Sequence, residues 1–348
     1  MKVLIRADAS QSIGSGHVAR CLTLAHCLRK QGAQVTFASL TLPGHRLVNL
    51  AAQGMGTFAM RPGPGSNDIE ALLPWQADID ALKGAGRFDW VIVDHYGLDA
   101  RWETAARAIA ARVMAIDDLA NREHSADVLL DQNLTASAEA YAGLLAPGCK
   151  TFFGPRHALL APAFEALRVS IRPRVQRVLV NFGGFDPNGH TLKAMAALDG
   201  VAGLEVDFIA GLGNPDWAHL QAYAATRPNW TLHGFVEDFP ALMATADLFV
   251  GAGGGTTWER AAMGLPTLCV AVAHNQQANA ELMALAGAHV YVGEAAELSS
   301  QALRQAVIGL LDDAERRQAL ANQSRQLVDG LGALRVAWAL FAAAPSQG

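Results

Sequence analysis

The sequence predicts an α/β protein of two doubly wound domains. The chain has 348 residues, about twice the common size of one domain. Short apolar strands alternate with helical segments, which is typical of parallel sheets covered by helices on both faces. The alternation restarts at residues 177–182 after a segment with two prolines. We therefore expect domains over residues 1–168 and 169–330, and a helical segment over residues 331–348 that packs back on the first domain.

Each element follows from the apolar pattern. Residues 2–7 predict a buried strand, residues 17–32 a helix that ends at a glycine, and residues 34–39 a second strand. Residues 60–86, which are rich in Gly and Pro, predict an excursion or loop. Further strands are expected over residues 89–94, 112–117, 126–133, 177–182, 204–210, 230–233, 247–252 and 266–273.

Composition excludes several classes of function. Hydrophobic residues make up 51% of the chain and charged residues 17%, so disorder is excluded as the main state. Lys and Arg number 27 against 32 Asp and Glu, a net charge of −5 with no basic block, so we expect no nucleic-acid partner. No apolar run approaches the ~18 residues of a membrane span, and residues 1–8 predict a strand instead of a signal peptide. We expect a cytoplasmic protein without stable membrane insertion.

The four cysteines do not suggest a metal or redox site. Cys21, Cys27, Cys149 and Cys269 show neither a C-x-x-C pattern nor Cys/His metal spacing. We expect them to behave as small buried hydrophobes with reduced thiols, outside the chemistry.

The first glycine-rich turn joins the first strand to the first helix. It contains Gly14, Ser15 and Gly16, and glycines there let backbone amides approach an anion at the positive end of the helix. The run GSGHVA also matches the dinucleotide fingerprint. That fingerprint requires an acidic residue about 20 residues further on to hold a ribose, but no Asp or Glu occurs between Asp8 and Asp68. A nicotinamide or flavin cofactor is therefore not expected.

His17 lies directly after this turn. A lone histidine is most often structural, but the first turn of a helix rarely belongs to a core. The positive helix end leaves a neutral imidazole that can take a proton, as a general base requires. A second group should orient such a base. Asp94, at the end of its strand, is a candidate, and a solvated turn residue is the open alternative.

Two further glycine turns follow strands of the second domain. One contains Gly183 and Gly184, and the other spans residues 253–257. Each alone fits a tight strand-to-helix turn, but three such turns at strand ends favour a phosphate-bearing ligand. None is followed by Gly-Lys-Ser/Thr, so ATP hydrolysis at a P-loop is not supported.

Glu259 has two interpretations. Thr256 and Glu259 have the spacing of a capping box, in which the carboxylate reaches back to a backbone amide. Alternatively, the carboxylate accepts hydrogen bonds from both hydroxyls of a ribose whose phosphates lie on the preceding glycine turn. The residues alone leave both interpretations open.

The segment RAD…IGSGHVARCLTLA, residues 6–25, closely resembles the opening of the UDP-2,4-diacetamido-2,4,6-trideoxy-β-L-altropyranose hydrolases of pseudaminic acid biosynthesis. The resemblance covers nearly the whole chain. It continues over residues 93–96, 116–118, 131–133, 183–187, 253–259 and 275–276. That family is similar to the bacterial transferase that adds N-acetylglucosamine to the peptidoglycan lipid precursor. This similarity implies a GT-B-like architecture of two Rossmann-like domains with a ligand cleft between them.

The resemblance also implies roles for individual residues. His17 would be the general base that activates water against the anomeric carbon, with UDP as the leaving group and inversion. Glu259 would hold the ribose, and the backbone near Val236 the uracil. Tyr96 and Asn275 would contact the sugar or the water. The full expected substrate-binding set is Gly14, Ser15, Gly16, Arg20, Tyr96, Gly183, Gly184, Val236, Gly254, Gly255, Thr256, Thr257, Glu259, Asn275 and Gln276.

The implied reaction needs no cofactor and strictly no metal, because UDP is a good leaving group and helix N-termini stabilise its charge. The partner is a UDP-sugar, and the protein is expected to be a monomer. Flagellin or a surface polysaccharide is left open as the final glycan acceptor. The GGG run at residues 253–255 departs from Ser-Gly-Ser versions of this loop, which removes a hydroxyl donor and leaves phosphate contacts mostly to the backbone and Thr256 or Thr257.

Three other functions remain open. A UDP-sugar glycosyltransferase would use the same nucleotide site with a sugar acceptor in place of water. Residues 40–50 are only a modest candidate for the membrane patch of such an enzyme, with one positive charge. A UDP-sugar 2-epimerase would need additional catalytic carboxylates and histidines. A binding module without chemistry would bind the nucleotide sugar without turnover.

Overall fold

The computed structural model describes residues 1–10, 12–65 and 67–343, and the chain divides into two compact units. The N-terminal unit comprises the described part of residues 1–161 together with residues 331–343, and the C-terminal unit comprises residues 162–330. Residues 162–168, which were expected in the first domain, lie in the second unit because this segment packs there. The backbone N–H of Val169 donates to the carbonyl oxygen of Met263 at 3.0 Å.

The N-terminal unit contains a seven-stranded sheet in which every strand pairs in parallel. Its strands are β1 (Lys2–Ala7), β2 (Gln34–Leu40), β3 (Gly56–Met60), β4 (Phe88–Asp94), β5 (Ala110–Ile116), β6 (Val128–Asp131) and β7 (Lys150–Phe153). Their spatial order is β3-β2-β1-β4-β5-β6-β7. The direction of winding changes between β1 and β4, and in such sheets ligands bind at the carboxyl ends of the strands at that point.

The C-terminal unit contains a six-stranded parallel sheet. Its strands are β8 (Arg177–Asn181), β9 (Glu205–Ile209), β10 (Trp230–His233), β11 (Leu248–Ala252), β12 (Thr267–Ala271) and β13 (Val290–Glu294). Their order is β10-β9-β8-β11-β12-β13, so the corresponding switch lies between β8 and β11. The predicted α/β class with two doubly wound parallel sheets is confirmed.

Helices connect the strands in both units. They are α1 (Gly16–Lys30), α2 (Leu47–Ala52), α3 (Trp75–Leu82), α4 (Ala100–Ala106), α5 (Pro162–Ala166), α6 (His190–Leu198), α7 (Trp217–Ala225), α8 (Phe239–Thr245), α9 (Thr256–Met263), α10 (His274–Leu285), α11 (Ser300–Leu311), α12 (Ala314–Leu327) and α13 (Gly332–Ala342), with a 3₁₀ turn at Pro155–His157. Within the described ranges, no helix is long and apolar enough to span a bilayer.

Helix α1 is held on the N-terminal sheet by its apolar face and by α13. Cys21, Leu24 and Leu28 of α1 are fully buried in the same core cluster as Val336 and Leu340 of α13. Burial of such side chains contributes roughly 1.5–3 kcal/mol each. Because α1 begins at the carboxyl end of β1, this packing fixes the position of the first helical turn.

A buried cluster of charged side chains lies beyond β5 and β6. His124 Nδ1 is 2.7 Å from Glu103 Oε1, and its Nε2 is 3.7 Å from Asp117 Oδ2, with all three side chains fully buried. Asp117 also pairs with Arg122 at 2.6 Å and accepts from the Tyr141 hydroxyl at 2.8 Å. Burial lowers the pKa of His124, but the hydrogen bond to Glu103 and the negative charges of Asp117 and Glu103 outweigh burial and raise that pKa to about 9.

This cluster predicts a pH-dependent stability. Because the folded-state pKa of His124 exceeds its unfolded value, its contribution is fully present below about pH 6.5 and is lost as pH rises through about 9. We expect the free energy of unfolding to fall by up to about 3 kcal/mol over that window. The measurement is urea denaturation at several pH values. His124→Gln should flatten this dependence, whereas the exposed His219→Gln should leave it intact; equal slopes in both variants would contradict the assignment.

Candidate active site

The residues expected around the candidate base lie together at the switch point of the N-terminal sheet. β1 pairs with β4 in a register that places Ala7 opposite Asp94. The loop after β1 leads into α1, which carries His17 and Arg20, and the loop after β4 carries Tyr96. The structure therefore brings His17, Arg20, Asp94 and Tyr96 together, although they are far apart in sequence.

The turn before α1 is shaped by its glycines. Ser10 and Gly14 exchange two backbone hydrogen bonds at 3.0 and 3.3 Å. Gly14 has a φ of +81°, a conformation that side chains with a Cβ rarely adopt. Among the described residues, nothing lies within 4 Å of where a Cβ would stand on Gly14 or Gly16. Open space therefore adjoins the first N–H groups of α1, which helix geometry leaves without intrahelical partners.

His17 stands over a carboxylate that another side chain fixes. Its Nδ1 is 3.9 Å from Asp94 Oδ1, and its side chain is 17% exposed. Asp94 is almost fully buried and accepts from Arg20 Nε and Nη2 at 2.7 Å each. The thiol of Cys21 donates to the same carboxylate at 3.4 Å. The Asp94 carboxylate is thus fixed beside the imidazole by Arg20 and Cys21, and it is not a solvated turn residue.

Electrostatics keep Asp94 ionised. Burial raises the pKa of this carboxyl, but the positive charge of Arg20, together with His17, outweighs burial and holds the pKa below its ordinary value. Arg20 in turn is only 13% exposed, and its Nη1 lies 3.1 Å from Asp118 Oδ2. Its guanidinium is therefore paired with two carboxylates. Its charge serves to fix these carboxylates and is largely neutralised by them.

Tyr96 forms one wall next to the candidate base. Its ring lies edge-on to the His17 imidazole with centroids 4.8 Å apart. Burial and the nearby Asp118 raise the pKa of the phenol well above its ordinary value, so the hydroxyl stays protonated and can donate a hydrogen bond. The side chain is 44% exposed, which leaves part of the ring open to a ligand.

The third glycine turn opens α9 in the C-terminal unit. Gly255 caps the helix and Thr256 is its first residue; within the described chain, the cap has no side-chain hydrogen bond. The hydroxyls of Thr256 and Thr257 accept from Arg260 at 3.0 Å each. Thr257 is buried, so of the two threonines Thr256 is the better placed to meet a phosphate. A capping box between Thr256 and Glu259 is not formed.

Glu259 is an acceptor without a partner. Its Oε2 is buried, and none of the described residues hydrogen-bonds to it. Burial raises the pKa of this carboxyl to about 7, and the charge of Arg260 opposes the shift only in part. A buried acceptor left unpaired costs roughly 1–3 kcal/mol. Such an unpaired acceptor is expected where a bound ligand supplies the hydrogen-bond donors.

The other predicted residues of the C-terminal unit lie at strand ends or helix starts. Gly183, with φ +103°, donates its N–H to the side chain of Asn181, and the carbonyl of Gly184 accepts from Gly211 at 2.8 Å. Gln276 Oε1 accepts from the backbone of Val272 at 3.1 Å. Gly254 lies in the α9 turn, Val236 lies in the loop after β10, and Asn275 is exposed at the start of α10.

Sequence reasoning missed Arg260 and Asp118. Arg260 is 1% exposed and also donates to the carbonyl of Ala252 at 3.0 Å. It therefore links α9 to the end of β11, on the two sides of the glycine turn. Its spacing of three and four residues from the two threonines could have indicated this contact. Asp118 lies within the motif at residues 116–118 that carries the resemblance, but no role was expected of it. Across the described residues, no group of three or more His, Cys, Asp or Glu is arranged to hold a metal ion.

Residues 187–331 match the glycosyltransferase family 28 C-terminal domain. The chain is 26% identical over 295 residues to the UDP-2,4-diacetamido-2,4,6-trideoxy-beta-L-altropyranose hydrolase of Campylobacter jejuni, which spans 83% of this chain and 98% of that protein. It is 30% identical over 352 residues to the UDP-N-acetylglucosamine–N-acetylmuramyl-(pentapeptide) pyrophosphoryl-undecaprenol N-acetylglucosamine transferase of Acidithiobacillus ferrooxidans, with 96% of each chain covered. The spore coat polysaccharide biosynthesis protein SpsG of Bacillus subtilis is 28% identical over 192 residues, 54% of this chain and 57% of that protein.

Among solved structures, MurG of Acinetobacter baumannii superposes with a TM-score of 0.67 at 18% identity, covering 98% of this chain and 99% of that one. This likeness shows the fold, which is that of the GT-B glycosyltransferases. The sequence match to the transferase covers both proteins almost end to end. The chain therefore belongs to the family of GT-B enzymes that carry the glycosyltransferase family 28 C-terminal domain and act on nucleotide sugars.

Proposed function

We propose that the protein hydrolyses UDP-2,4-diacetamido-2,4,6-trideoxy-β-L-altropyranose to UDP and 2,4-diacetamido-2,4,6-trideoxy-L-altrose. The observation that carries the proposal is the placement of His17 at the start of α1, 3.9 Å above the ionised Asp94. The named Campylobacter hydrolase aligns over 98% of its own length. A base of this kind is what activation of water requires.

The proposed step is a single displacement. Nδ1 of His17 faces Asp94, so Nε2 is the atom that accepts the proton of the attacking water. The water oxygen forms a bond to the anomeric carbon while the bond from that carbon to the diphosphate oxygen breaks, and its electron pair leaves with UDP. Asp94 stabilises the imidazolium that results. The configuration at the anomeric carbon inverts.

The C-terminal unit supplies the nucleotide site in this proposal. The first N–H groups of α9 and the hydroxyl of Thr256 would meet the diphosphate, whose growing charge the positive helix end stabilises. The unpartnered carboxylate of Glu259 would accept from the ribose hydroxyls. Its burial and its raised pKa support a role in binding over one in capping.

Charge around His17 favours water over an anionic acceptor. Arg20 is shared between Asp94 and Asp118, so the three groups carry one net negative charge. A pyrophosphoryl acceptor would meet repulsion there, because like charges a few ångströms apart disfavour each other by roughly 1 kcal/mol or more even in water. A water molecule or a neutral sugar is not penalised.

A UDP-sugar glycosyltransferase is the second candidate. It is favoured by the 30% identity to the Acidithiobacillus transferase over 96% of both chains. In that case His17 would deprotonate an acceptor hydroxyl in place of water. The nucleotide site would be the same in both candidates.

The test is proton and phosphorus NMR of the purified protein with the UDP-diacetamido sugar, EDTA and no acceptor. We expect UDP and the free diacetamido sugar to appear together. The sugar that forms first should have the anomeric configuration opposite to that of the substrate. If the substrate signals broaden through binding but stay intact, the hydrolase proposal fails and the transferase or a binding module takes its place.

A further inference from the structure

We propose that Asp118 is a positioning residue for His17: the Asp118 carboxylate holds Arg20 in place beside the imidazole and sets a negative charge near Tyr96. The inference rests on the proposed function of His17 as base. Asp118 follows β5, and β5 pairs in parallel with β4. The carboxyl ends of neighbouring parallel strands meet at one edge, which brings Asp118 next to Asp94.

The first contact of Asp118 is with Arg20. Asp118 Oδ2 lies 3.1 Å from Nη1, while Nε and Nη2 donate to Asp94 at 2.7 Å. The Asp118 side chain is 16% exposed and that of Arg20 is 13% exposed, so water screens the pair little. A planar guanidinium held from two sides has one orientation. Loss of Asp118 frees one side, and the Asp94 carboxylate can then turn together with Arg20.

Asp118 also acts on Tyr96, through its charge. The negative charge of Asp118 acts on the phenol and, with burial, keeps it protonated. The ring of Tyr96 is edge-on to His17 at 4.8 Å. Asp118 therefore acts on the surroundings of the imidazole in two ways, by holding Arg20 and by placing its charge near the Tyr96 phenol.

The backbone of Asp118 is itself anchored. Its carbonyl accepts from Asn133 Nδ2 at 3.4 Å, and the N–H of Asn133 donates to Asp131 at 2.9 Å. The preceding Asp117 belongs to the buried cluster with His124 described above. A side chain on such a rigid backbone segment can hold other side chains in place, whereas a side chain on a mobile loop cannot.

Asp118 also sets the local charge. With Arg20 and Asp94 it leaves one net negative charge, which stabilises the imidazolium that His17 becomes during the reaction. Without Asp118, the remaining Arg20–Asp94 pair is neutral, and the imidazolium loses that attraction. Other charged or titratable groups at this edge of the sheet, among them Arg6, Asp8, His95, Asp117 and Asp131, form their own buried contacts.

The experiment compares Asp118→Asn with the wild type under the NMR assay conditions. We expect kcat to fall by about 10- to 100-fold, the loss typical when a partner that orients a functional histidine is removed. The acidic limb of the kcat/KM profile should move to lower pH, since the imidazolium is less stabilised. UDP affinity should stay within about twofold, because the proposed nucleotide site lies in the other unit. Asp118→Glu should recover part of kcat.

The control is Asp127→Asn, which alters another carboxylate–arginine pair of the same unit, with Arg107 at 3.0 Å. It should change neither kcat nor the pH profile. An Asp118→Asn protein that folds and keeps both the wild-type kcat and pH profile overturns the inference.

A spectroscopic readout separates this inference from the proposed function. In Asp118→Asn, the ultraviolet absorbance of phenolate should appear at lower pH than in the wild type, and this difference should vanish in a Tyr96→Phe background. If the wild type releases no UDP, the proposed function fails, but this titration still tests whether the charge of Asp118 acts on Tyr96. Identical phenolate curves with and without Asp118 overturn the inference whatever the turnover.

Discussion

Replacing His17 with asparagine is expected to abolish UDP release while UDP affinity stays within about threefold of the wild type. General acid–base catalysis contributes about 10²–10⁴-fold, and asparagine cannot take the proton of the attacking water. The imidazole lies in the N-terminal unit, whereas the proposed nucleotide contacts lie in the C-terminal unit. The measurements are UDP release by NMR and UDP binding by calorimetry.

A matched control lies on the same helix. His26 of α1 is hydrogen-bonded to Gln53 at 3.1 Å, away from the Asp94 cluster, so His26→Asn should retain turnover. If His17→Asn turns over like the wild type, the general-base assignment is wrong. If both variants lose turnover and UDP binding together, the defect is in folding and not in the chemistry.

The strands that the sequence missed share one property. β3, β7 and β13 each lie at an edge of a sheet, and their burial is partial; most residues of β3 are exposed or half-buried. The central strands are buried on both faces and so have continuous apolar runs. These three edge strands lack that signal, which is why residues 56–60, for example, were not predicted as a strand.

The candidate site was predictable only in part for a related reason. The chemistry-bearing residues follow strands, and parallel topology gathers strand ends at one edge, so His17 and Asp94 could be expected together. Which side chains join them depends on the spatial order of strands. Two consecutive aspartates, Asp117 and Asp118, follow β5, and the order of the strands does not tell which of them turns toward Arg20, so the contact of Asp118 with Arg20 could not be foreseen.

Glu259→Ala is expected to weaken UDP binding far more than it lowers the melting temperature. The carboxylate makes no hydrogen bond through Oε2 to any described residue, so little in the unliganded fold depends on it. If it accepts from ribose hydroxyls, each charged hydrogen bond is worth about 1.5–3 kcal/mol, and affinity should fall by about 10- to 100-fold. Calorimetry and thermal unfolding measure the two effects. The exposed Glu281→Gln serves as the control.

Glu259→Gln sharpens this test through stability. The folded-state pKa of about 7 exceeds the unfolded value of 4.5, so the contribution of this carboxyl to stability is fully present below about pH 4.5 and is lost as pH rises through 7. At about pH 8 the buried charge therefore costs up to about 3 kcal/mol. The glutamine variant carries no charge there, and it should be at least as stable as the wild type at that pH while binding UDP more weakly.

Proton release on binding distinguishes the ribose role from a structural one. Ribose hydroxyls that donate to Glu259 favour its ionised form, so UDP binding should expel a proton between about pH 6 and 7. The phosphate of UDP titrates in the same range, so the decisive quantity is the difference between the wild type and Glu259→Gln. Calorimetry in two buffers of unequal ionisation enthalpy measures it. Equal proton release and equal UDP affinity in the two proteins would show that the ribose does not meet Glu259, and the nucleotide site would then have to be sought elsewhere in the C-terminal unit.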